Sequence, residues 1–331
     1  MPKSWGQKLK ILYVLDILKK HSNEQNPLTA TAICDLLARQ GIEAERKSIY
    51  ADIESLCDYG CDIIYSSSPK GYFLGERDFE EAEIYLLSDA VRTAKFISPK
   101  KTRELVKKLD SMLSEPQRQK RNKDIYFDYS QKCNNEEIFY NIDKISSAIT
   151  DGVKVEFDYV SRELKGREFV DVVKRRKVSP YALTWQDDHY YLICNYEKYD
   201  NLMHLRLDRM SKSEKTTEKA RHFREVSEYK ETFDVADYTN KIFGMFSGDI
   251  QTVELCCKKE IAKTVIDRFS ENIFITNVTE DEFHFSYKAA ISEALVTFIM
   301  NFGDSIKVVS PESLKRDIVE RAEKILKVYK N

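Results

Sequence analysis

The sequence predicts a multidomain α+β protein. Three observations support this prediction: helical patterns followed by a hairpin pattern near the N-terminus, β-rich runs in the middle, and alternating strand and helix patterns in the last third. The 331 residues are enough for two or three domains, each with its own core. A hydrophobic content of 42% and a charged content of 33% are typical of an ordinary soluble protein.

The N-terminal part combines three short helical patterns with one hairpin. Apolar residues recur at helical spacing over residues 8–20, Thr29 or Thr31 can cap a second helix, and a third helix is expected over residues 46–59. Two strand patterns joined by a polar turn follow. Three short helices and a hairpin predict a winged helix-turn-helix domain over residues 1–75.

The third helix is predicted to read double-stranded DNA, because the second helix of a helix-turn-helix pair lies in the major groove. Its apolar residues Ile49, Ile53 and Leu56 are expected to face inward. Five polar side chains are then predicted to contact bases or phosphates: Arg46, Lys47, Ser48, Tyr50, and Lys70 at the tip of the hairpin. The alternative is a winged helix that makes only protein contacts.

Four segments follow the hairpin. Helical patterns predict a connector over residues 76–139, and alternating strands dominate residues 140–225. A charged stretch without a strong period predicts a linker over residues 226–244. The last segment, residues 245–331, alternates strands and helices, which predicts a small α+β domain.

Residues 176–210 are the most informative stretch. The β-rich runs YALTW and HYYLICNY are separated by a polar turn, and an Arg-x-x-Arg element follows. This stretch resembles the WYL domain, a small Sm-like barrel of bacterial transcription factors, with Tyr190, Tyr191 and Leu192 in place of Trp-Tyr-Leu. The third helix is similar to the recognition helices of these regulators, which often read R-x-T-I-Y-R-D-I, although Ala51 stands where an arginine is common.

The resemblance implies separate DNA-binding and sensing parts. In this family the barrel senses a ligand, and an N-terminal winged helix binds DNA. The connector and the last domain, from Val253 onward, resemble the connector and the C-terminal extension of the family, and the extension implies a homodimer. The implied effector is a nucleotide or a nucleic-acid fragment, with a role in phage defence or DNA-damage response.

Six residues of the middle segment are predicted to bind this effector. A strand over residues 203–210 would place Arg206 and Asp208 on one face and Arg209 on the other. A guanidinium binds phosphate in a bidentate manner, aromatic rings stack on bases, and an unpaired arginine is costly to bury. The predicted ligand-binding set is Ser179, Tyr181, Tyr191, His204, Arg206 and Arg209. For each aromatic residue, core packing is the alternative.

The seven cysteines show neither a disulfide framework nor a metal site. C-x-x-C is absent, and the pairs Cys57/Cys61 and Cys256/Cys257 have no histidine at metal-ligand spacing. We therefore expect reduced, buried thiols in a cytoplasmic protein, without a metal. No apolar run reaches the length of a membrane span, and the interrupted apolar stretch near the N-terminus predicts no signal peptide.

An enzyme and a bound cofactor are not expected. None of the ten glycines stands in G-x-G-x-x-G order, and Asp187, Asp188 and His189 lie in a tight turn where aspartate is common. The sequence therefore favours a dimeric, ligand-responsive transcriptional regulator. The alternative is an accessory protein whose WYL domain binds RNA or single-stranded DNA and modulates a nuclease.

Overall fold

A computed structural model describes residues 3–121, 132–269 and 273–330. They belong to two units, Met1–Asn134 and Asn135–Asn331. Part of the predicted connector, residues 122–131, lies outside the described residues. Among the helices described, none is long and apolar enough to cross a membrane.

Unit 1 begins with three helices and an antiparallel hairpin, close to the predicted positions. Thr29 caps the second helix, because its Oγ1 accepts a hydrogen bond from the Ala32 amide at 3.2 Å. The elements are α1 (Lys3–His21), α2 (Ala30–Arg39), α3 (Arg46–Asp58), β1 (Ile63–Ser67) and β2 (Lys70–Leu74).

The three helices share one core. It is built from the buried residues Val14, Ile17, Leu18, Ile33, Leu37, Ile49, Ile53 and Leu56. The hairpin is tied to the start of α2, because the backbones of Leu28 and Tyr72 exchange two hydrogen bonds of 2.8 Å. Gly71 permits this approach, since a Cβ there would lie 2.7 Å from the Leu28 carbonyl carbon.

Three further helices complete the described part of unit 1. Ser98 caps the middle one by accepting a hydrogen bond from the Lys101 amide at 3.2 Å, and Pro99 occupies its first turn. These helices are α4 (Glu81–Thr93), α5 (Pro99–Asp110) and α6 (Glu115–Arg121).

Unit 2 begins with α7 (Ile138–Asp151), which packs on a five-stranded antiparallel sheet. α7 ends at Gly152, whose φ of 63° is the left-handed conformation that commonly closes a helix. The strands are β3 (Val153–Lys165), β4 (Glu168–Gln186), β5 (His189–Asn195), β6 (Met203–Arg206) and β7 (Met210–Lys219), in the order β6-β5-β4-β3-β7.

This sheet is open. β6 ends at Arg206, a 3-10 turn over Leu207–Arg209 follows, and β7 pairs with β3 instead of β6. No closed barrel forms within the described residues, so the predicted Sm-like barrel is corrected to an open sheet. The same turn interrupts the predicted strand over residues 203–210, and Asp208 does not continue its alternation.

Residues 226–244, predicted as a linker, contain α8 (Val235–Asn240). Their apolar side chains pack against the edge of the five-stranded sheet and the end of a later strand. This second core includes Ala182, Ile193, Leu202, Val226, Tyr238, Ile242, Met245 and Ala290.

The C-terminal part is an antiparallel four-stranded sheet with three helices. Its elements are β8 (Ile250–Lys258), α9 (Ala262–Phe269), β9 (Phe274–Val278), β10 (Glu282–Ala290), α10 (Glu293–Met300), β11 (Ile306–Ser310) and α11 (Glu312–Lys330), with the strand order β11-β8-β10-β9. One face of the sheet joins a core that includes Val253, Leu255, Cys257, Phe283 and Phe285.

The seven cysteines, all within the described residues, form no disulfide bond. Cys194, Cys256 and Cys257 are buried, but Cys57 is exposed. The expectation of buried thiols is therefore wrong for Cys57, which lies near the end of α3.

Candidate functional site

α3 presents a basic and aromatic face to solvent. Arg46, Lys47 and Tyr50 are exposed, whereas Ile49 and Ile53 are buried on the opposite side. Two cationic side chains in the first turn of an exposed helix can reach base edges or phosphate oxygens. The structure therefore keeps these three predicted residues available for a nucleic acid.

Ser48 faces the interior of unit 1 instead. Its hydroxyl accepts a hydrogen bond from Lys10 of α1, and the Lys10 ammonium lies 2.7 Å from Asp52 Oδ2. The side chains of Lys10 and Asp52 are only 8% and 15% exposed. This ion pair joins α1 to α3 and occupies the Ser48 hydroxyl. The sequence signal for it is that Lys10 shares helical spacing with the buried residues Val14 and Ile17.

The hairpin and α3 enclose a concave surface. Tyr50, Tyr65, Lys70 and Tyr72 line it together with Thr29 at the start of α2, and its cavity volume is about 300 Å³. The rings of Tyr65 and Tyr72 lie 5.1 Å apart. Burial raises the pKa of Tyr72, so its hydroxyl stays protonated and can donate a hydrogen bond. Lys70 is exposed at the rim, next to the hairpin turn.

Arg206, at the end of β6, is paired with Asp208. Nε lies 3.0 Å from Oδ1 and one terminal guanidinium nitrogen lies 2.6 Å from Oδ2, which is a bidentate contact. Burial disfavours the charged guanidinium, but the hydrogen bonds to Asp208 outweigh this effect and raise the pKa of Arg206. Arg206 therefore has a partner within the chain, and an anion would have to share Arg206 with Asp208.

Two asparagines hold the turn that carries this pair. The Asn135 amide donates to the carbonyls of Asp208 and Met210 at 3.0 and 2.7 Å. The Asn141 amide, on α7, donates to the same Met210 carbonyl at 2.8 Å and is 1% exposed. These hydrogen bonds fix the backbone of the turn that carries Asp208, the partner of Arg206.

A second arginine, Arg176 on β4, lies between two tyrosines. Its guanidinium carbon is 4.5 Å from the ring centroid of Tyr159 and 5.7 Å from that of Tyr196. The Tyr159 hydroxyl accepts a hydrogen bond from the Arg206 amide at 3.3 Å, and half-buried Tyr191 lies opposite Arg206 in the strand register. We call these five residues the arginine–tyrosine cluster.

Three members of the cluster were missed in the sequence: Tyr159, Arg176 and Tyr196. Tyr159 and Arg176 lie on the adjacent strands β3 and β4. The available signal was the run of basic residues at 174–177. Successive side chains of a strand point to opposite faces of the sheet, so only some of these basic side chains can lie on the inner face. Without the strand register, that run could not be assigned to a face.

Ser179 and Tyr181, both predicted to bind the effector, contact the backbone of Arg221. Ser179 Oγ accepts a hydrogen bond from the Arg221 amide, and the Tyr181 hydroxyl donates to the Arg221 carbonyl, both at 2.9 Å. Ser179 is 1% exposed, and burial raises the pKa of Tyr181. These two side chains therefore fix the segment that follows β7.

His204 also has protein partners on both ring nitrogens. Nδ1 lies 2.8 Å from the Met245 carbonyl oxygen, and Nε2 lies 3.0 Å from the Tyr238 hydroxyl. A carbonyl only accepts, so Nδ1 carries the proton and Nε2 accepts from Tyr238. Burial lowers the pKa of His204 to about 4, which keeps the ring neutral near pH 7.

The structure thus separates the predicted ligand-binding residues. Tyr191 and Arg206 lie together, and Arg209 is exposed on the 3-10 turn. Ser179, Tyr181 and His204 are engaged by residues of 221–245. They hold that segment against the sheet.

A cavity lies beside the His204 contacts. Its volume is about 350 Å³, and its lining includes Tyr229 and Tyr238 with the carboxylates of Asp200, Glu228 and Asp249. Three carboxylates give this lining an acidic character, which disfavours an anionic ligand. For a phosphate-bearing molecule, the arginine–tyrosine cluster is the better site.

Two family models match parts of the chain. The model described as WYL domain matches residues 140–214, and the model described as WCX domain matches residues 249–326. Residues 140–214 are therefore similar to a WYL domain and residues 249–326 to a WCX domain, and the two ranges are called by these names below. The arginine–tyrosine cluster lies within the WYL domain, whereas α3 and the hairpin lie outside both matched ranges.

A solved structure, Proteasome accessory factor B/C (PafBC) of Arthrobacter aurescens, is similar to the chain with 17% identity and a TM-score of 0.28. The match covers 93% of this chain and 47% of that one, so the chain spans about half the length of this relative. No curated protein matches the chain.

Proposed function

We propose that this protein is a DNA-binding transcriptional regulator whose WYL domain senses a nucleotide or a nucleic-acid-like effector. The observation that carries the proposal is the exposed basic face of α3 beside the hairpin, in a chain that also contains a WYL domain. The WYL and WCX matches fit a regulator role. Neither catalysis nor a bound cofactor is part of the proposal.

DNA contact is assigned to α3 and the hairpin. Arg46 and Lys47 lie in the first turn of α3, where long cationic side chains can reach guanine edges or phosphates. Tyr50 and Lys70 line the concave surface next to the start of α2, a position suited to the sugar–phosphate backbone. The Lys10–Asp52 pair fixes the angle between α1 and α3 and thereby orients this face.

The DNA assignment is tested by titrating the whole chain with a duplex that spans the region upstream of its gene. Arg46→Ala is expected to weaken binding by about 1–3 kcal/mol, or roughly 5- to 150-fold in Kd. Lys47→Ala is expected to lower the slope of log K against log salt by about one. The matched control is Lys263→Ala, which removes one positive charge from an exposed helix position of the WCX domain. Equal losses in Arg46→Ala and Lys263→Ala would reject the assignment.

Effector contact is assigned to the arginine–tyrosine cluster. Arg206 and Arg176 supply positive charge, while Tyr191 and Tyr196 supply ring faces and hydroxyl groups. Buried Tyr159 positions the two arginines by packing against Arg176 and bonding the Arg206 amide. Asp208 already accepts hydrogen bonds from Nε and one terminal nitrogen of Arg206. An anionic effector must therefore displace Asp208 or accept hydrogen bonds from the Arg206 nitrogens that Asp208 leaves available. The site is therefore suited to a ligand with more than one anionic group.

The effector assignment is tested with two probes, a 5′-phosphorylated dinucleotide and a short single-stranded DNA. We expect at least one of them to change the affinity of the whole chain for its operator. Arg206→Ala should abolish this change and leave operator binding without the probe intact. Arg162→Ala is the control, because Arg162 is an exposed arginine of the same WYL domain, paired with Asp171. An unchanged operator affinity with both probes would contradict effector sensing.

We also propose that the regulator is a cytoplasmic homodimer that binds an inverted-repeat operator. The exposed apolar side chains of Val319, Leu326 and Val328 on α11 support self-association. Sedimentation of the whole chain tests the dimer.

A role in phage defence or DNA-damage response belongs to the same proposal. Tight binding of single-stranded DNA or RNA without duplex binding would instead favour an accessory protein of a nuclease.

A further inference from the structure

The outer face of the WCX-domain sheet gathers three metal-ligating side chains. Cys256 on β8 lies opposite His284 on β10 in the strand register, and Glu282 lies two residues before His284. One ligand atom from each, the Cys256 Sγ, a His284 ring nitrogen and a Glu282 carboxylate oxygen, lie within 4.8 Å of one another. Cys256 Sγ and Glu282 Oε2 are 3.5 Å apart.

These separations are close to those of a tetrahedral metal site. Zinc bonds of about 2.0–2.3 Å place neighbouring ligand atoms about 3.3–3.8 Å apart. The Cys256–Glu282 separation of 3.5 Å already falls in this range. Since the other separations are at most 4.8 Å, closing the set around an ion shortens a separation by about 1.5 Å at most.

The sheet holds these side chains on a firm base. Val253, Leu255, Phe283 and Phe285, on the same two strands, are buried in the core on the opposite face. Cys256 is 7% exposed, so its sulfur cannot move far. Ligands on adjacent strands with a packed opposite face are better defined than ligands on loops.

The neighbouring charges support a bound cation. Glu254 Oε1 lies 3.7 Å from His284 Nδ1, so a second carboxylate adds negative charge beside the three side chains. Lys258, on the same face, is paired with Asp304 at 2.8 Å. Lys307 lies opposite Cys256 on β11, so one positive charge stands beside the carboxylates of Glu254 and Glu282.

We propose that Cys256, Glu282 and His284 form a binding site for a divalent transition metal, with zinc as the best match and a fourth position open to water or another ligand. A thiolate and an imidazole select against magnesium and calcium, which require oxygen ligands. The site could not be predicted from the sequence, because Cys256 and His284 are 28 residues apart and meet only through the pairing of β8 with β10. This proposal is independent of the proposed regulatory function.

Binding must displace the thiol proton. The thiolate, not the thiol, is the form that binds a metal ion, so metal binding is expected to release one proton.

Cobalt(II), a spectroscopic substitute for zinc, tests the site in the whole chain. One equivalent is expected to give a thiolate-to-cobalt charge-transfer band and the intense d–d bands of tetrahedral cobalt, and zinc should displace both. Cys256→Ser should remove the charge-transfer band. His284→Asn and Glu282→Gln should each weaken zinc binding at least about tenfold in a chelator competition.

Two control variants leave the proposed ligands in place: Cys57→Ser removes an exposed thiol, and His222→Asn removes an exposed histidine. Both should retain the cobalt spectrum. Absence of the charge-transfer band in the native chain, or its persistence in Cys256→Ser, would overturn the proposal. Glu282 is exposed, whereas Cys256 is buried. Glu282→Gln therefore tests the site even if Cys256→Ser does not fold.

Discussion

His204 links the stability of unit 2 to pH. Burial lowers its pKa from an ordinary value of 6.5 to about 4 in the folded chain. The unfolded chain therefore binds a proton first as the pH falls, and protonation favours unfolding. The stability that depends on the neutral ring is fully present above about pH 6.5 and is lost progressively as the pH falls toward 4.

The magnitude follows from the difference between the two pKa values. Each pH unit within this window costs about 1.4 kcal/mol, so the full difference corresponds to about 3 kcal/mol. Between pH 7 and pH 4.5 the loss attributable to His204 is about 2 kcal/mol. Such a loss is a large fraction of the stability of an ordinary domain.

The assay is urea denaturation at a series of pH values, comparing the native chain with His204→Gln. Glutamine keeps a donor and an acceptor but does not titrate. The chain has two tryptophans, so a Trp5→Phe background leaves Trp185, on β4 of unit 2, as the fluorescent reporter. The stability difference between native and variant chains is expected to shrink by about 2 kcal/mol from pH 7 to pH 4.5. Parallel pH profiles would refute the buried neutral ring.

Three further changes test the packing around the candidate sites. Asp52→Ala leaves Lys10 buried without its carboxylate and is expected to lower the free energy of unfolding, measured with urea, by about 3 kcal/mol. Adding Lys10→Met should restore most of this loss. A double variant as unstable as the single one would contradict the pairing. Gly71→Ala places a Cβ 2.7 Å from the Leu28 carbonyl carbon. We expect it to cost about 1–3 kcal/mol and to weaken duplex binding, and native stability would argue against the close approach. Asn141→Ala removes a buried amide from the turn at Met210 and should cost about 1–3 kcal/mol by the same urea assay.

The positions of helices and strands could be predicted because apolar periodicity directly reflects burial. The third helix was expected over residues 46–59 and is observed at Arg46–Asp58. Thr29, one of the two caps expected for the second helix, is observed at its N-terminus. In each case the decisive signal lies within about ten residues of the element.

Pairings between distant residues could not be predicted in this way. The contact of Arg206 with Asp208 depends on a 3-10 turn that no periodicity indicates. His204 depends on Met245, which is 41 residues further along the chain. Cys256 meets its histidine only through strand register. Each of these contacts gives a side chain a charged or hydrogen-bonding partner that the sequence alone does not indicate.

β6 brings the stability prediction and the effector proposal together. It carries His204 and Arg206 two residues apart, and residues at this spacing point to the same side of a strand. His204 holds the segment that contains Tyr238 and Met245, while Arg206 belongs to the arginine–tyrosine cluster. β6 has only four residues and lies at the sheet edge, so it opens at lower cost than the central strands. An anion that draws Arg206 from Asp208 therefore acts on the element that anchors the segment leading into the WCX domain. Through β6, a change at Arg206 can therefore be coupled to the segment that contains Tyr238 and Met245, as a sensor requires. A ligand bound in the acidic cavity would contact this segment without displacing Arg206.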